Sequence, residues 1–388
     1  MRILIVKLSS IGDVVHALPA ATLIRRALPD ARLSWVVERR AGAILKDTPI
    51  IDDLIEIDTR AWRRQLLGSA TLDEIRARLA NLRGQPGTNG EDGAGIDIAI
   101  DFQGLLKSGL VAKAAGARLR IGFETGELRE KASRFFLTDQ VETARFSHVI
   151  DKNLALARRA ITSATTRSNA DVNSLSDRYE FPIAVNPDDE RFVEQAINEC
   201  GSGQFAIINP GGGWPTKLWS AQSYGQLADL LESEHGLASF ITYGPGEETL
   251  ARTVAANSRS GTARPLASTL KQFVALARRA ELFVGGDTGP LHIAAASGTP
   301  IVGIYGPTSP ERNGPFDERD LTVGRSLWCR QSCHRRSCWH WECMDIPVSE
   351  VASAVRIRLA QRGRELETQD SAGGVVPVVL LASDSVTR

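Results

Sequence analysis

Residues 280–310 read AELFVGGDTGPLHIAAASGTPIVGIYGPTSP. The apolar run 282–284 ends in Gly285-Gly286-Asp287-Thr288-Gly289, Pro290 opens an Ala-rich segment over 291–297, and a second apolar run covers 301–305. The pattern predicts strand, tight turn, helix, strand, with Pro290 at the first helical position, where its missing N–H costs nothing. Gly285, Gly286 and Gly289 are expected to take positive φ and to bring backbone N–H groups close to a ligand. Those N–H groups and the positive end of the helix dipole suit a phosphate or diphosphate. The plainer reading is an ordinary strand-to-helix turn in which Asp287 caps the helix.

Working outward, the same alternation recurs. In the second half, 205–208 predicts a strand, Asn209-Pro210-Gly211-Gly212-Gly213 a glycine turn, and Ser220 the cap of a helix over 221–234. A strand over 238–243 leads through Gly244-Pro245-Gly246-Glu247-Glu248 into a helix ending near 256, and 270–279 is helical. In the first half, 2–8 is a β-branched run suited to a buried parallel strand. Ser9-Ser10-Ile11-Gly12 forms a turn, one helix is expected over 13–27, and strands over 33–37 and 50–57. Further pieces are a helix over 72–82, a loop-like stretch over 83–95, a strand over 96–101, the turn 102–108 opening a helix to 115, a strand over 120–123 and a helix over 146–160. The Ser/Thr/Asn/Asp-rich stretch 162–187 reads as a linker, 348–362 as a last amphipathic helix, and the chain from 369 as a weakly structured tail. Strand–helix alternation in both halves predicts two doubly wound α/β domains, whose ligands sit at the carboxyl ends of the strands.

Composition narrows the partners. A hydrophobic share of 43% supports packed cores. Lys+Arg and Asp+Glu both number 46, so no global field points to nucleic acid. The opening MRILIVKLSS lacks a small-residue cleavage site, and no stretch approaches the ~20 apolar residues of a membrane span. A cytoplasmic protein with at most peripheral membrane contact is expected. RAWRRQLL over 60–67 interleaves Arg60, Arg63 and Arg64 with Trp62, Leu66 and Leu67, which fits either a solvated helix face or a surface meeting lipid phosphates.

Several residue types carry chemistry. Asp13 stands at a helix start, where a carboxylate either caps or accepts a proton from an incoming hydroxyl. Lys217 is a point charge for a phosphate or an exposed loop lysine. Glu247 suits a ribose diol or simply heads a helix, and His292 lies near any diphosphate held by the 285–289 turn. One candidate base in the first half and an anion cradle in the second fit transfer from a nucleotide-activated donor. Neither Gly-x-Gly-x-x-Gly nor the P-loop pattern occurs, which argues against a dinucleotide dehydrogenase or a P-loop NTPase. Cys329, Cys333, Cys338 and Cys343, beside His334 and His340, suggest a tetrahedral zinc site. Their spacing lacks the paired Cys-x-x-Cys knuckle, so reduced structural thiols are the alternative.

With these residues in place, the chain resembles glycosyltransferase family 9, the lipopolysaccharide heptosyltransferases, over about residues 1–360. MRILIVKLSSIGDVVHALPA is similar to the family's opening, closest to heptosyltransferase I; IDIAIDFQGLLKSGLVAKAAGARLRIGF is similar to its second signature; VGGDTGPLHIAAASGTPIVGIYGPTSP is its most specific motif. The resemblance implies a GT-B fold, with two Rossmann-like doubly wound parallel-sheet domains facing across a cleft and a C-terminal helix crossing back. The expected division is an acceptor-binding domain over 1–165, a linker over 166–187, a nucleotide-sugar-binding domain over 188–346, a crossover helix over 347–364 and a flexible tail over 365–388. The resemblance further implies inverting transfer of heptose from ADP-L-glycero-D-manno-heptose to Kdo or heptose of the lipopolysaccharide inner core. That implies peripheral contact with the cytoplasmic face of the inner membrane, no nucleic acid, and no required metal or other cofactor.

By the same resemblance Asp13 matches the catalytic base. Gly212, Gly213, Lys217, Glu247, Asp287, Thr288, Gly289 and His292 match donor positions. Ser10, Gly12, Arg60, Arg63, Arg64, Gln103, Lys107 and Arg120 match acceptor positions. Two departures stand out. Gly212-Gly213 replaces the threonine pair of heptosyltransferase I, and the cysteine-rich segment looks more like heptosyltransferase II, so the acceptor hydroxyl stays open. The rival readings are a family 9 transferase using another nucleotide sugar, a GT-B sugar-nucleotide epimerase, and a zinc-stabilised interaction module.

Overall fold

A computed structural model describes residues 1–58, 95–165, 179–325 and 341–371, with 327–329, 333, 337 and 338 between the last two, and side chains of the final helix through 363. Arg60, Arg63, Arg64, the 166–178 part of the expected linker, His334, His340 and the tail from 372 lie outside the described residues. The chain divides into two compact units, Met1–Ala184 and Val185–Arg388.

The strands of the first unit are β1 (Arg2–Val6), β2 (Arg32–Glu38), β3 (Asp53–Ile57), β4 (Ile98–Asp101), β5 (Leu119–Phe123) and β6 (Asp139–Val141). They form one parallel sheet in the order β3-β2-β1-β4-β5-β6. Ile3, Leu4, Ile5 and Val6 are fully buried, as a run apolar on both faces should be when helices cover both sides. The helix expected over 13–27 is two: Ile11–Val15 and Leu18–Ala27. Pro19 has no N–H to donate, so it sits in the first turn of a new helix rather than inside a continuous one.

The second unit repeats the plan with β7 (Phe205–Asn209), β8 (Ala238–Tyr243), β9 (Ala263–Ala267), β10 (Leu282–Gly286), β11 (Ile301–Ile304) and β12 (Leu321–Val323), all parallel, in the order β12-β11-β10-β7-β8-β9. Ser220 caps its helix as expected, its Oγ accepting the N–H of Ser223 at 2.9 Å. Helix Pro187–Cys200 was not foreseen, although its signal is local. Asn186 accepts the Asp189 N–H (2.9 Å), Pro187 fills the first turn, and Gly201 closes the helix at φ 74°.

Helix Val348–Ser371 packs on this second sheet through Val351, Ala354 and Val355. Arg358 Nε donates to Asp320 Oδ1 at 2.9 Å, and the same oxygen accepts the Ile301 N–H at the start of β11. The two side chains are 4% and 3% exposed, so removing one strands a buried charge. Arg358→Ala is expected to cost about 3–5 kcal/mol in the urea unfolding of the second unit. An Arg358→Met, Asp320→Leu pair should recover most of it; a loss under about 1 kcal/mol in the single variant contradicts the assignment. Among the described residues no helix is long and apolar enough to cross a membrane.

In doubly wound sheets the crevice opens where the strand order reverses, outside the carboxyl ends of the strands. That point falls between β1 and β4 in the first unit and between β7 and β10 in the second. The segments after those four strands carry Asp13, Gln103, Lys217 and Asp287.

Candidate active site

In the first unit the β1 and β4 ends are tied together from inside. Lys7 is buried and donates Nζ to the Phe102 carbonyl at 2.7 Å. Gln103 Oε1 accepts the N–H groups of Leu8 and Ser9 at 3.1 and 3.2 Å. Asp101, also buried, accepts from Gln103 N, Gly104 N and Ser108 Oγ; burial still pushes its carboxyl above the ordinary value. Gln103 is thus a brace for the turn that carries the candidate base. Its carboxamide oxygen is spent on the backbone and not held out for an acceptor.

Asp13 uses its two oxygens differently. Oδ2 accepts the Ser10 N–H (2.9 Å) and Ser10 Oγ (3.0 Å), so the capping reading holds for that oxygen. Oδ1 lies 3.3 Å from an Arg129 guanidinium nitrogen and 3.8 Å from Lys7 Nζ. Burial acts to raise the pKa, but Lys7, Arg129 and the Ser10 N–H together hold it well below the ordinary carboxylate range. Ser10 is exposed and Gly12 buried within the short helix.

Arg129 was absent from the sequence reading. Gly104 delivers it: at φ 68° it needs a residue without Cβ, its carbonyl accepts the Glu130 N–H at 3.1 Å, and an added Cβ would meet Leu128 at 3.3 Å. Two expected acceptor cations are engaged elsewhere. Arg120 donates to the Phe136 and Ala117 carbonyls (2.6 and 2.7 Å), bracing β5, and Lys107 pairs with Glu38 at 2.6 Å.

In the second unit the turn after β10 differs from expectation. Gly285, Gly286 and Gly289 are not among the glycines of positive φ. Close approach is the reason at the first two: a Cβ on Gly285 would lie 2.8 Å from the Asn209 carbonyl oxygen, and one on Gly286 3.3 Å from that of Lys217. Thr288, not Asp287, is the N-cap of helix Gly289–Ala296. Asp287 instead turns to Lys217, whose Nζ donates to Asp287 Oδ2 (2.7 Å) and to its carbonyl (2.9 Å). His292 Nε2 is 3.1 Å from Asp287 Oδ1, and Asn313 Nδ2 donates to that oxygen at 2.8 Å. Burial works against the charge on Asp287, but His292 and Lys217 outweigh it and hold the carboxyl well below its usual range.

Asn313 is a second residue the sequence reading missed. Tyr305 holds it: its hydroxyl donates to the Asn313 carbonyl at 3.3 Å, and burial with the nearby Asp287 charge keeps that phenol protonated. Lys217 also lies 4.8 Å above the Trp214 ring. Glu247 accepts the Gly244 N–H at 3.0 Å, and its carboxylate occupies the space where a Cβ on Gly211 would stand (2.6 Å). Gly212 and Gly213 lie in the turn before Lys217 and present backbone in place of side-chain hydroxyls.

Cys329, Cys333, Cys338 and Cys343 are free thiols of intermediate exposure, and burial first, then the other three thiols, push Cys343 up. Among the described residues no group of three or more His, Cys, Asp or Glu is arranged to hold a metal.

A sequence profile for glycosyltransferase family 9 (heptosyltransferase) matches residues 93–340. Lipopolysaccharide heptosyltransferase 1 of Pseudomonas aeruginosa is 26% identical over 340 residues, covering 87% of each chain. The family 9 glycosyl transferase of Veillonella parvula superposes with a TM-score of 0.73 at 18% identity, covering 93% of this chain and 97% of that one. The Escherichia coli heptosyltransferase WaaC, solved with ADP, gives a TM-score of 0.66 at 24% identity, covering 87% and 97%. The fold is therefore GT-B, with two Rossmann-like units. On a profile match covering well over half its length, the chain belongs to glycosyltransferase family 9, the heptosyltransferases.

Proposed function

We propose that this chain transfers heptose from ADP-L-glycero-D-manno-heptose to a Kdo or heptose hydroxyl of the lipopolysaccharide inner core, inverting the anomeric centre. The observation that carries the reading is the pairing of chemistry with topology. Each sheet's reversal point holds one constellation: an ionised carboxylate at Asp13 in the first unit, and the Lys217–Asp287–His292 group in the second. The relatives' names and the ADP-bound relative support the donor and acceptor classes.

In this mechanism Asp13 takes the acceptor proton as the hydroxyl oxygen attacks the anomeric carbon and the bond to ADP breaks. Attack from the face opposite the leaving group through an oxocarbenium-like transition state inverts configuration without a covalent intermediate. Lys217 and the N–H groups at the start of helix Gly289–Ala296 meet charge growing on the diphosphate. No resident metal or other cofactor is needed for these steps. Asp287 fixes where Lys217 and His292 point, and Glu247 receives the ribose. The first unit is the acceptor-binding half, and the reaction belongs at the cytoplasmic face of the inner membrane, where acceptor and nucleotide sugar meet.

The test is to incubate the chain with ADP-heptose and defined truncated lipopolysaccharides and to weigh the products. One heptose added to a Kdo- or heptose-terminated core, with UDP- and GDP-sugars inert, is the expected result. Conversion of the nucleotide sugar without any acceptor would make the chain an epimerase and sink the transfer reading. Stoichiometric zinc with no turnover of any donor would favour the interaction module.

A further inference from the structure

The segment 129–136, Arg-Glu-Lys-Ala-Ser-Arg-Phe-Phe, follows directly on the arginine that meets Asp13. Lys131–Phe136 is a 3₁₀ helix, in which residues three apart share a face. Ser133 and Phe136 form the inward face. Ser133 is fully buried, and Phe136 fits against Gly109 so closely that a Cβ there would stand 2.8 Å from the ring. The same period sets Lys131 with Arg134, and Ala132 with Phe135, on faces turned to water.

Phe135 is 71% exposed and Leu106, at the start of the neighbouring helix Leu106–Ala114, 42%. The Glu130 carboxylate accepts the Leu106 N–H at 2.6 Å, so the start of that helix lies against this segment. Arg134 lies over the Phe135 ring at 4.7 Å. The only acid of the segment is thus engaged by a backbone donor, while among the described residues neither Lys131 nor Arg134 enters an ion pair. Single exposed aromatics are ordinary. An exposed aromatic on an element that also carries two exposed cations, with a leucine on the neighbouring helix, has the composition of a surface that meets anionic headgroups.

We propose that Leu106, Lys131, Arg134 and Phe135 form the face by which this unit docks on an anionic lipid surface. Phe135 enters the boundary between headgroups and acyl chains, and Lys131 and Arg134 meet lipid phosphates. The location beside Asp13 and Arg129 suits an acceptor that is itself lipid-borne, so the biological purpose rests on the transfer reading, whereas the binding does not. The residues of this face are not those of the 60–67 segment singled out in the sequence, which lies outside the described residues.

The experiment is co-sedimentation of the full chain with phosphatidylglycerol–phosphatidylethanolamine vesicles, against phosphatidylcholine vesicles. The chain should pellet with the first and not the second, and less so as salt rises. Lys131→Ala with Arg134→Ala should lower the partition about 30-fold, and Phe135→Ser about tenfold. Phe135→Leu should keep most of the binding, which separates loss of the apolar contact from misfolding. Turnover of a detergent-dispersed acceptor should stay at the parent level in all of them. A chain that stays in the supernatant with anionic vesicles, or variants that pellet like the parent, overturns the proposal. So does a dimer in sedimentation velocity that these substitutions dissolve, since the face would then belong to a second copy. Vesicle binding with no sugar transfer would sink the functional reading and leave this one standing.

Discussion

Asp13→Ala is expected to lower kcat by about 10²–10⁴-fold, with ADP bound almost as before. The loss is that of a positioned base, and the groups assigned to the diphosphate belong to a different unit of the chain. Alanine also removes the oxygen that accepts the Ser10 N–H, which adds about 1 kcal/mol of lost stability to the lost base. Asp13→Asn separates the two: the amide oxygen still caps, but no proton can be taken, so its rate should fall as far with the Ser10 cap kept. Rates near the parent level in the asparagine variant would remove Asp13 from the chemistry.

The pH profile gives a second handle. Lys7 and Arg129 hold the Asp13 carboxyl well below its ordinary pKa, so the base is ionised throughout the neutral range and the acid limb of kcat/KM lies at low pH. Arg129→Met withdraws one of the two cations, the Asp13 pKa rises, and the acid limb moves to higher pH. A limb that stays in place would mean that another group sets it.

The strands were legible because buried parallel strands are written as short apolar runs between turn residues, and 282–286, 238–243 and 205–209 show this directly. Which strands neighbour each other is a matter of long-range pairing, yet it is the reversal of strand order that gathers the segments carrying the candidate residues. Residue type alone left the partner unassigned in several places. Gln103, Lys107 and Arg120 suit an anionic acceptor, but each has a partner inside its own unit. Arg129 reaches Asp13 across 116 residues of sequence, a separation that no local pattern encodes. Glycine was ambiguous for a physical reason: it serves positive φ at Gly104 but close backbone approach at Gly285. Asp287 was open between cap and site, and the structure removes the cap, because Thr288 holds that position and the Asp287 carboxylate meets Lys217, His292 and Asn313.

Lys217→Ala is expected to lower kcat by about 10²–10³-fold, the size of effect seen when one preorganised group facing developing charge is removed. Asp287→Ala should do nearly the same for a different reason. Beside the 2.9 Å bond to the main-chain carbonyl, which alanine keeps, its carboxylate, only 6% exposed and 2.7 Å away, is the counter-charge that fixes the Lys217 ammonium. Without it the lysine keeps its charge but loses its direction, and stabilisation that depends on preorganisation goes with it. The two substitutions therefore remove one device, and the double variant should be little worse than either single, a coupling nearly as large as one single loss, about 2.7–4 kcal/mol, in a double-mutant cycle. Asp287→Asn retains hydrogen-bond acceptors for Lys217 while dropping the charge, so it should fall between parent and alanine. Losses that multiply in the double variant would show that Asp287 and Lys217 act on the donor separately, and the account of Asp287 as the residue that aims the lysine would then be wrong.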